Sequence, residues 1–161
     1  VSDPDPEFAA RLERLRASGM RIDRDGVFWH EGAPVLHEGM RRAFWRWLDR
    51  LPPPDGRFVL RLDEQRFAYL EVEDTPLVVT SLRWQGDEAW LGLNDGSEER
   101  LDPRSLTVDA AGVLRCLVRD GRLPARLATG AAAVLAERIG GEAGAPTLSV
   151  AGRTHVIPQR P

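Results

Sequence analysis

The chain has 161 residues, 42% of them hydrophobic and 29% charged, with a net charge of −3. That balance supports one buried core or two small ones, and it predicts no strong attraction to nucleic acid or to an anionic membrane. All 22 basic residues are arginine, which excludes a Schiff-base lysine and a lysine-type phosphate loop.

No apolar run approaches the ~20 residues of a membrane span, and no signal-peptide core is visible. A single cysteine, Cys116, rules out an internal disulfide, and it suits a reducing cytoplasm.

In chain order, Asp5 reads as an N-cap with Pro6 at the first helical position, and Phe8, Leu12 and Leu15 share one helical face. The spacing predicts a helix from Pro6 to Ser18 ended by Gly19. Met20 to Glu31 reads as a β-hairpin around Asp25-Gly26. A helix is expected from His37 to Leu51, where Met40, Phe44, Trp47, Leu48 and Leu51 fall within an arc of about 100°. Three prolines stop it. Phe58 to Leu62 and Phe67 to Val72 form a second expected hairpin, around Asp63-Glu64-Gln65.

Leu77 to Trp84, Ala89 to Leu93 and Glu98 to Leu101 suggest a meander with turns at Gln85-Gly86-Asp87 and Asn94-Asp95-Gly96. Thr107-Val108 and Val113 to Val118 flank another turn. Pro124 to Ile139 reads as a helix, with Leu127, Ala131, Val134 and Leu135 inward. Thr147 to Val150 and Thr154 to Ile157 close the chain as a hairpin.

The string hairpin, helix, hairpin thus occurs twice. Ile22-Asp23-Arg24-Asp25-Gly26-Val27-Phe28 lies over Val108-Asp109-Ala110-Ala111-Gly112-Val113-Leu114, and Leu60 and Leu62 lie over Leu148 and Val150. The expected fold is α+β: an N-terminal helix (1–19), a first repeat unit (20–76), a central antiparallel meander (77–105) and a second repeat unit (106–161).

The stretch His30-Glu31-Gly32 returns as His37-Glu38-Gly39. A zinc-binding HExxH motif needs histidines four apart on one helix. Here they are seven apart, with Gly32 and Pro34 between, so no continuous helix holds both and no metal is expected. Asp23-Arg24-Asp25-Gly26 fails as a calcium loop, because Arg21 and Gly32 stand where acids are required. Nucleophile-elbow and dinucleotide-binding glycine motifs are absent, and no cofactor is expected.

Arginines and aromatics interleave from Arg41 to Arg50, but Arg42, Arg46 and Arg50 fall opposite the apolar stripe. Trp45 stands off the stripe, about 140° from Met40.

The run Ile22-x-x-Asp25-Gly26-x-Phe28-Trp29-x-x-Gly32-x-Pro34, followed by Glu71-Val72-Glu73-Asp74-Thr75-Pro76-Leu77, resembles the bacterial family called domain of unknown function 1285 (DUF1285). Val118-Arg119-Asp120-Gly121-Arg122-Leu123 is similar to that family's second half. The resemblance implies a two-part α+β fold with repeated motifs and a signalling or adaptor role, and it offers no established catalytic residues to carry over.

The expectation is a non-catalytic cytoplasmic module that binds a small molecule or a protein. Its candidate surface comprises Trp29, His30, Trp45, Glu71, Glu73 and Asp74. The alternatives are a small hydrolase using His30 or His37 with a carboxylate, and a self-associating structural protein, a homo-oligomer.

Overall fold

The computed structural model describes residues 6–161. Asp5 and the side chains of Phe8, Leu12 and Leu15 lie outside the described part. The fold is mixed α+β and mostly β, and the chain divides into two compact units, residues 1–74 and 75–161. No described helix is long and apolar enough to cross a membrane.

In the first unit, helix α1 (Pro6–Arg16) ends earlier than expected and runs into strand β1 (Ala17–Ile22). Ser18 has left the helix, and its hydroxyl donates to the Tyr69 carbonyl at 2.6 Å. Strands β2 (Phe28–His30) and β3 (Ala33–Pro34) extend β1 on one side. Helix α2 (Glu38–Trp47), then β4 (Leu48–Arg50), β5 (Phe58–Arg61) and β6 (Phe67–Val72), complete the unit. The sheet order is β3-β2-β1-β6-β5-β4, closed by the parallel pair β1–β6.

The expected helix to Leu51 therefore stops at Trp47. Leu48 lies opposite Leu60 in the sheet and is 2% exposed. A strand placement buries Leu48 fully, and local helix propensity yields to that.

In the second unit the expected meander appears as β7 (Leu77–Gln85), β8 (Glu88–Leu93) and β9 (Glu98–Arg100). A 3-10 turn (Pro103–Ser105) leads to β10 (Thr107–Val108), β11 (Leu114–Val118) and β12 (Leu123–Leu127). Helix α3 (Thr129–Ala136) precedes a three-stranded sheet of β13 (Ile139–Glu142), β14 (Ala145–Val150) and β15 (Arg153–Val156).

The meander is not a separate layer. Its strand β7 pairs in parallel with β12, giving the order β10-β11-β12-β7-β8-β9. Leu77, Val78 and Val79 are all buried, as a strand covered on both faces requires.

Residues Pro124 to Leu127, expected as helix, belong to strand β12. Leu123, Ala125 and Leu127 are buried while Pro124 and Arg126 are half-buried, a period of two. Pro124 is tolerated there because the pairing with β7 begins only at Ala125. Among the inward positions expected of that helix, Ala131 and Leu135 are buried within α3.

The two β-hairpins matched in the sequence share one hydrogen-bond scheme. Ile22 faces Phe28 as Val108 faces Leu114. The Asp23 carboxylate accepts from the amides of Asp25 and Val27, and the Asp109 carboxylate accepts from those of Ala111 and Val113. The second oxygen of each is held six residues on, by Trp29 Nε1 and by the Arg115 guanidinium. The sheets close differently, through β1–β6 in one unit and β12–β7 in the other.

Candidate functional site

The two His-Glu-Gly triplets have different structural roles. His30 faces Ala33 across a two-residue turn, and Glu31 (φ 48°) and Gly32 (φ 83°) supply the left-handed backbone that a type I′ hairpin needs. His37 instead caps α2: its Nδ1 accepts from the Met40 amide at 3.2 Å. Gly39 makes room for that imidazole, since a Cβ there would lie 3.0 Å from His37 Cε1. Glu38 sits in the first turn, where the helix dipole favours an anion, and pairs with Arg42 at 3.7 Å.

The cap sets the tautomer. With Nδ1 accepting, the proton of neutral His37 resides on Nε2, so the ring offers a donor and no free basic nitrogen.

Between the β2–β3 turn and α2 lies a groove of about 400 Å³. Its walls are Met20, Ala33, Pro34, Val35, Leu36, Met40 and Phe44, with His30 and His37 the polar members of its lining. Leu36 is 77% exposed and Met40 49% exposed. Large apolar side chains left facing water around a concavity mark a binding surface in general.

Of the six candidate surface residues, His30 lines this groove. Trp45 packs edge-on against Phe28 with ring centroids 4.6 Å apart. Trp29 points to the other side of the sheet, in a cross-strand row with Arg21 and Glu71. The Trp29 indole N–H donates to Asp23 at 2.7 Å, and the Arg21 guanidinium lies 4.9 Å from its ring centroid. Glu73 accepts from the Arg24 amide at 3.2 Å and approaches Arg21 at 4.0 Å. Asp74 is half-buried where the first unit ends. Periodicity along one strand separates Trp29 from His30, and that signal was present in the sequence. The roles of Leu36 and Val35 were not legible, because they sit in a connecting stretch without a period.

A second, polar groove of about 870 Å³ lies in the second unit. Arg100, paired with Glu88 at 2.7 Å, and Arg104, paired with Asp102, contribute to it together with Arg153 and His155. Hydrogen bonds from Arg104 hold the Asp102 carboxyl below its ordinary value against the opposing effect of burial. Beside this groove Arg119, Asp120 and Gly121 are all left-handed. The Arg119 amide donates to the Glu99 carboxylate at 3.1 Å, and its guanidinium pairs with Asp95 at 2.9 Å. Burial pushes the Asp95 carboxyl up, but hydrogen bonds from Ser97 and Arg119 outweigh it and hold it below the ordinary value. Cys116 lies in the core, and burial, with Glu99 adding to it, pushes its thiol up to about 12. Four separate stretches line this groove, at residues 88, 99–105, 117–121 and 150–155.

No family model matches this chain, and no curated protein does. Two crystal structures do match its fold. One is a DUF1285 family protein from Silicibacter pomeroyi DSS-3, with a TM-score of 0.71 and 24% identity, covering 88% of this chain and 79% of that one. The other is a DUF1285 family protein from Shewanella baltica OS155, with a TM-score of 0.58 and 14% identity, covering 71% of this chain and 87% of that one. The chain therefore has a DUF1285-like fold.

Proposed function

We propose that this chain is a binding module whose occupied surface is the apolar groove between the β2–β3 turn and α2. The single observation that carries the reading is the exposure of Leu36 and Met40 around a concavity floored by the buried Met20. In this reading the two matched hairpins are copies of one unit, and the first copy alone acquired the groove. An adaptor or signalling role follows as the use of such a module, with no nucleic acid or membrane as partner.

The reading is tested with the apolar dye N-phenyl-1-naphthylamine, which fluoresces when held in an apolar site. Saturable enhancement by the wild-type protein is expected, weakened about tenfold or more in Leu36→Ser and Met40→Ser. Leu36 is largely exposed and Met40 half-exposed, so these variants should melt close to wild type. Equal dye binding by wild type and both variants would remove the groove from consideration.

A further inference from the structure

We propose that the partner of this groove is an extended, acidic peptide segment carrying a large apolar side chain, laid along the open sheet edge at residues 34–36. The proposal rests on the groove being a binding surface and adds what fills it. Strand β3 ends its sheet. Ala33 faces His30, and the Val35 amide donates to the Phe28 carbonyl at 2.8 Å, so positions 33 and 35 turn their main chain inward. By the alternation of a strand, the Pro34 carbonyl and the Leu36 amide then turn outward. Among the described residues the Leu36 amide makes no main-chain hydrogen bond. One acceptor and one donor, two residues apart on an open edge, are what an added strand pairs with. Pro34 lacks an N–H, which limits the pairing to a short segment.

Charge argues for the acidic character. The chain carries −3 overall. On helix α2, which forms the groove's other wall, Arg41 flanks the groove-lining Met40, while Arg42 and Arg46 fall on the far side. Arg42 is paired with Glu38, whereas Arg41, in the same turn as Met40, has no ion pair among the described residues. The helix N-terminus adds positive potential at the same end. Neutral His37 presents Nε2–H, a further donor. A carboxylate flanking the apolar anchor meets all three.

The test is fluorescence anisotropy with a fluorescein-labelled peptide of alternating leucine and glutamate. Three comparisons accompany it: the same peptide with lysine for glutamate, a version N-methylated at alternate amides, and dodecanoate as a small amphiphile. Saturable binding of the leucine–glutamate peptide is expected, weakened about tenfold or more by N-methylation, by Arg41→Glu and by Met40→Glu. Affinity should also fall with added salt. Equal binding of the lysine peptide overturns the charge argument, and equal binding of the N-methylated peptide overturns the edge pairing. Displacement of the dye by dodecanoate with no peptide binding overturns the proposal while leaving the groove intact. Failure of the dye itself to bind sinks the groove reading as well.

Discussion

Thr75 is the buried polar residue where the second unit begins, 3% exposed. Its hydroxyl donates to the Leu77 carbonyl at 2.7 Å and accepts from the Arg126 amide at 3.1 Å, tying the start of β7 to β12. Thr75→Val preserves the shape and deletes the hydroxyl. It removes two hydrogen bonds, at about 0.5–1.5 kcal/mol each, while the β7–β12 pairing keeps the Leu77 carbonyl and the Arg126 amide bonded to main chain. The added methyl returns about 0.8 kcal/mol of burial. The net expectation is a loss of about 1 kcal/mol, or roughly 2–4 °C in Tm. Urea unfolding and calorimetry read the global effect, and hydrogen exchange at the Arg126 amide reads the local one. Thr75→Ser keeps both hydrogen bonds and should stay within about 1 kcal/mol of wild type. A loss below about 0.5 kcal/mol for the valine variant, with Arg126 exchange unchanged, would refute the reasoning.

The capping geometry of α2 makes a double-mutant expectation. Gly39→Ala should gain ~1 kcal/mol of helix propensity and lose about as much by displacing His37, so it is near neutral alone. In a His37→Ala background the same change should stabilise by about 1 kcal/mol, and equal effects in both backgrounds would deny the contact. Cys116, pushed from 9.0 to about 12, has a thiolate fraction cut about a thousandfold. Ellman's reagent should label it only after unfolding, and stoichiometric labelling of the native protein within minutes would contradict its burial. Hydrogen bonds from the Arg57 side chain and amide hold the Asp55 carboxyl at about 2, below the ordinary 3.8. A depressed carboxyl stabilises the fold above its unfolded value, so this contribution is present above pH ~4 and lost as pH falls through about 2. An NMR titration midpoint for Asp55 near 3.8 would disprove the pairing.

The hairpins were legible because their turns are written in the residues: Asp23 to Gly26 and Asp109 to Gly112 carry both the capping carboxylate and the left-handed glycine. The meander was legible for the same reason, with Gly86 and Gly96 at its corners. The helices were read too long, α3 at both ends. Leu48 continued the apolar stripe of α2, and Leu127 that of α3, yet both lie in strands. An apolar residue fits either period, and tertiary burial decides between them. The resemblance to DUF1285 proteins anticipated the fold, and the two structural matches agree with it. The groove was only partly legible. His30 was among the residues singled out, but Leu36, which follows no period, and Met40, which periodicity assigns to the buried stripe, became conspicuous only through their exposure.

The parallel seams also shape how the chain reaches this fold. Most strand pairs join neighbours in sequence and can form on the microsecond scale of hairpins. Each six-stranded sheet, however, is closed by one parallel pair, Arg21 with Glu71 in the first and Leu77 with Ala125 in the second. Each closure spans about fifty residues, so its loop entropy is lost before its contacts are gained. Folding in each unit should then wait on its seam. Weakening β1–β6 or β7–β12 would slow that step, whereas weakening a hairpin formed after it would mainly hasten unfolding.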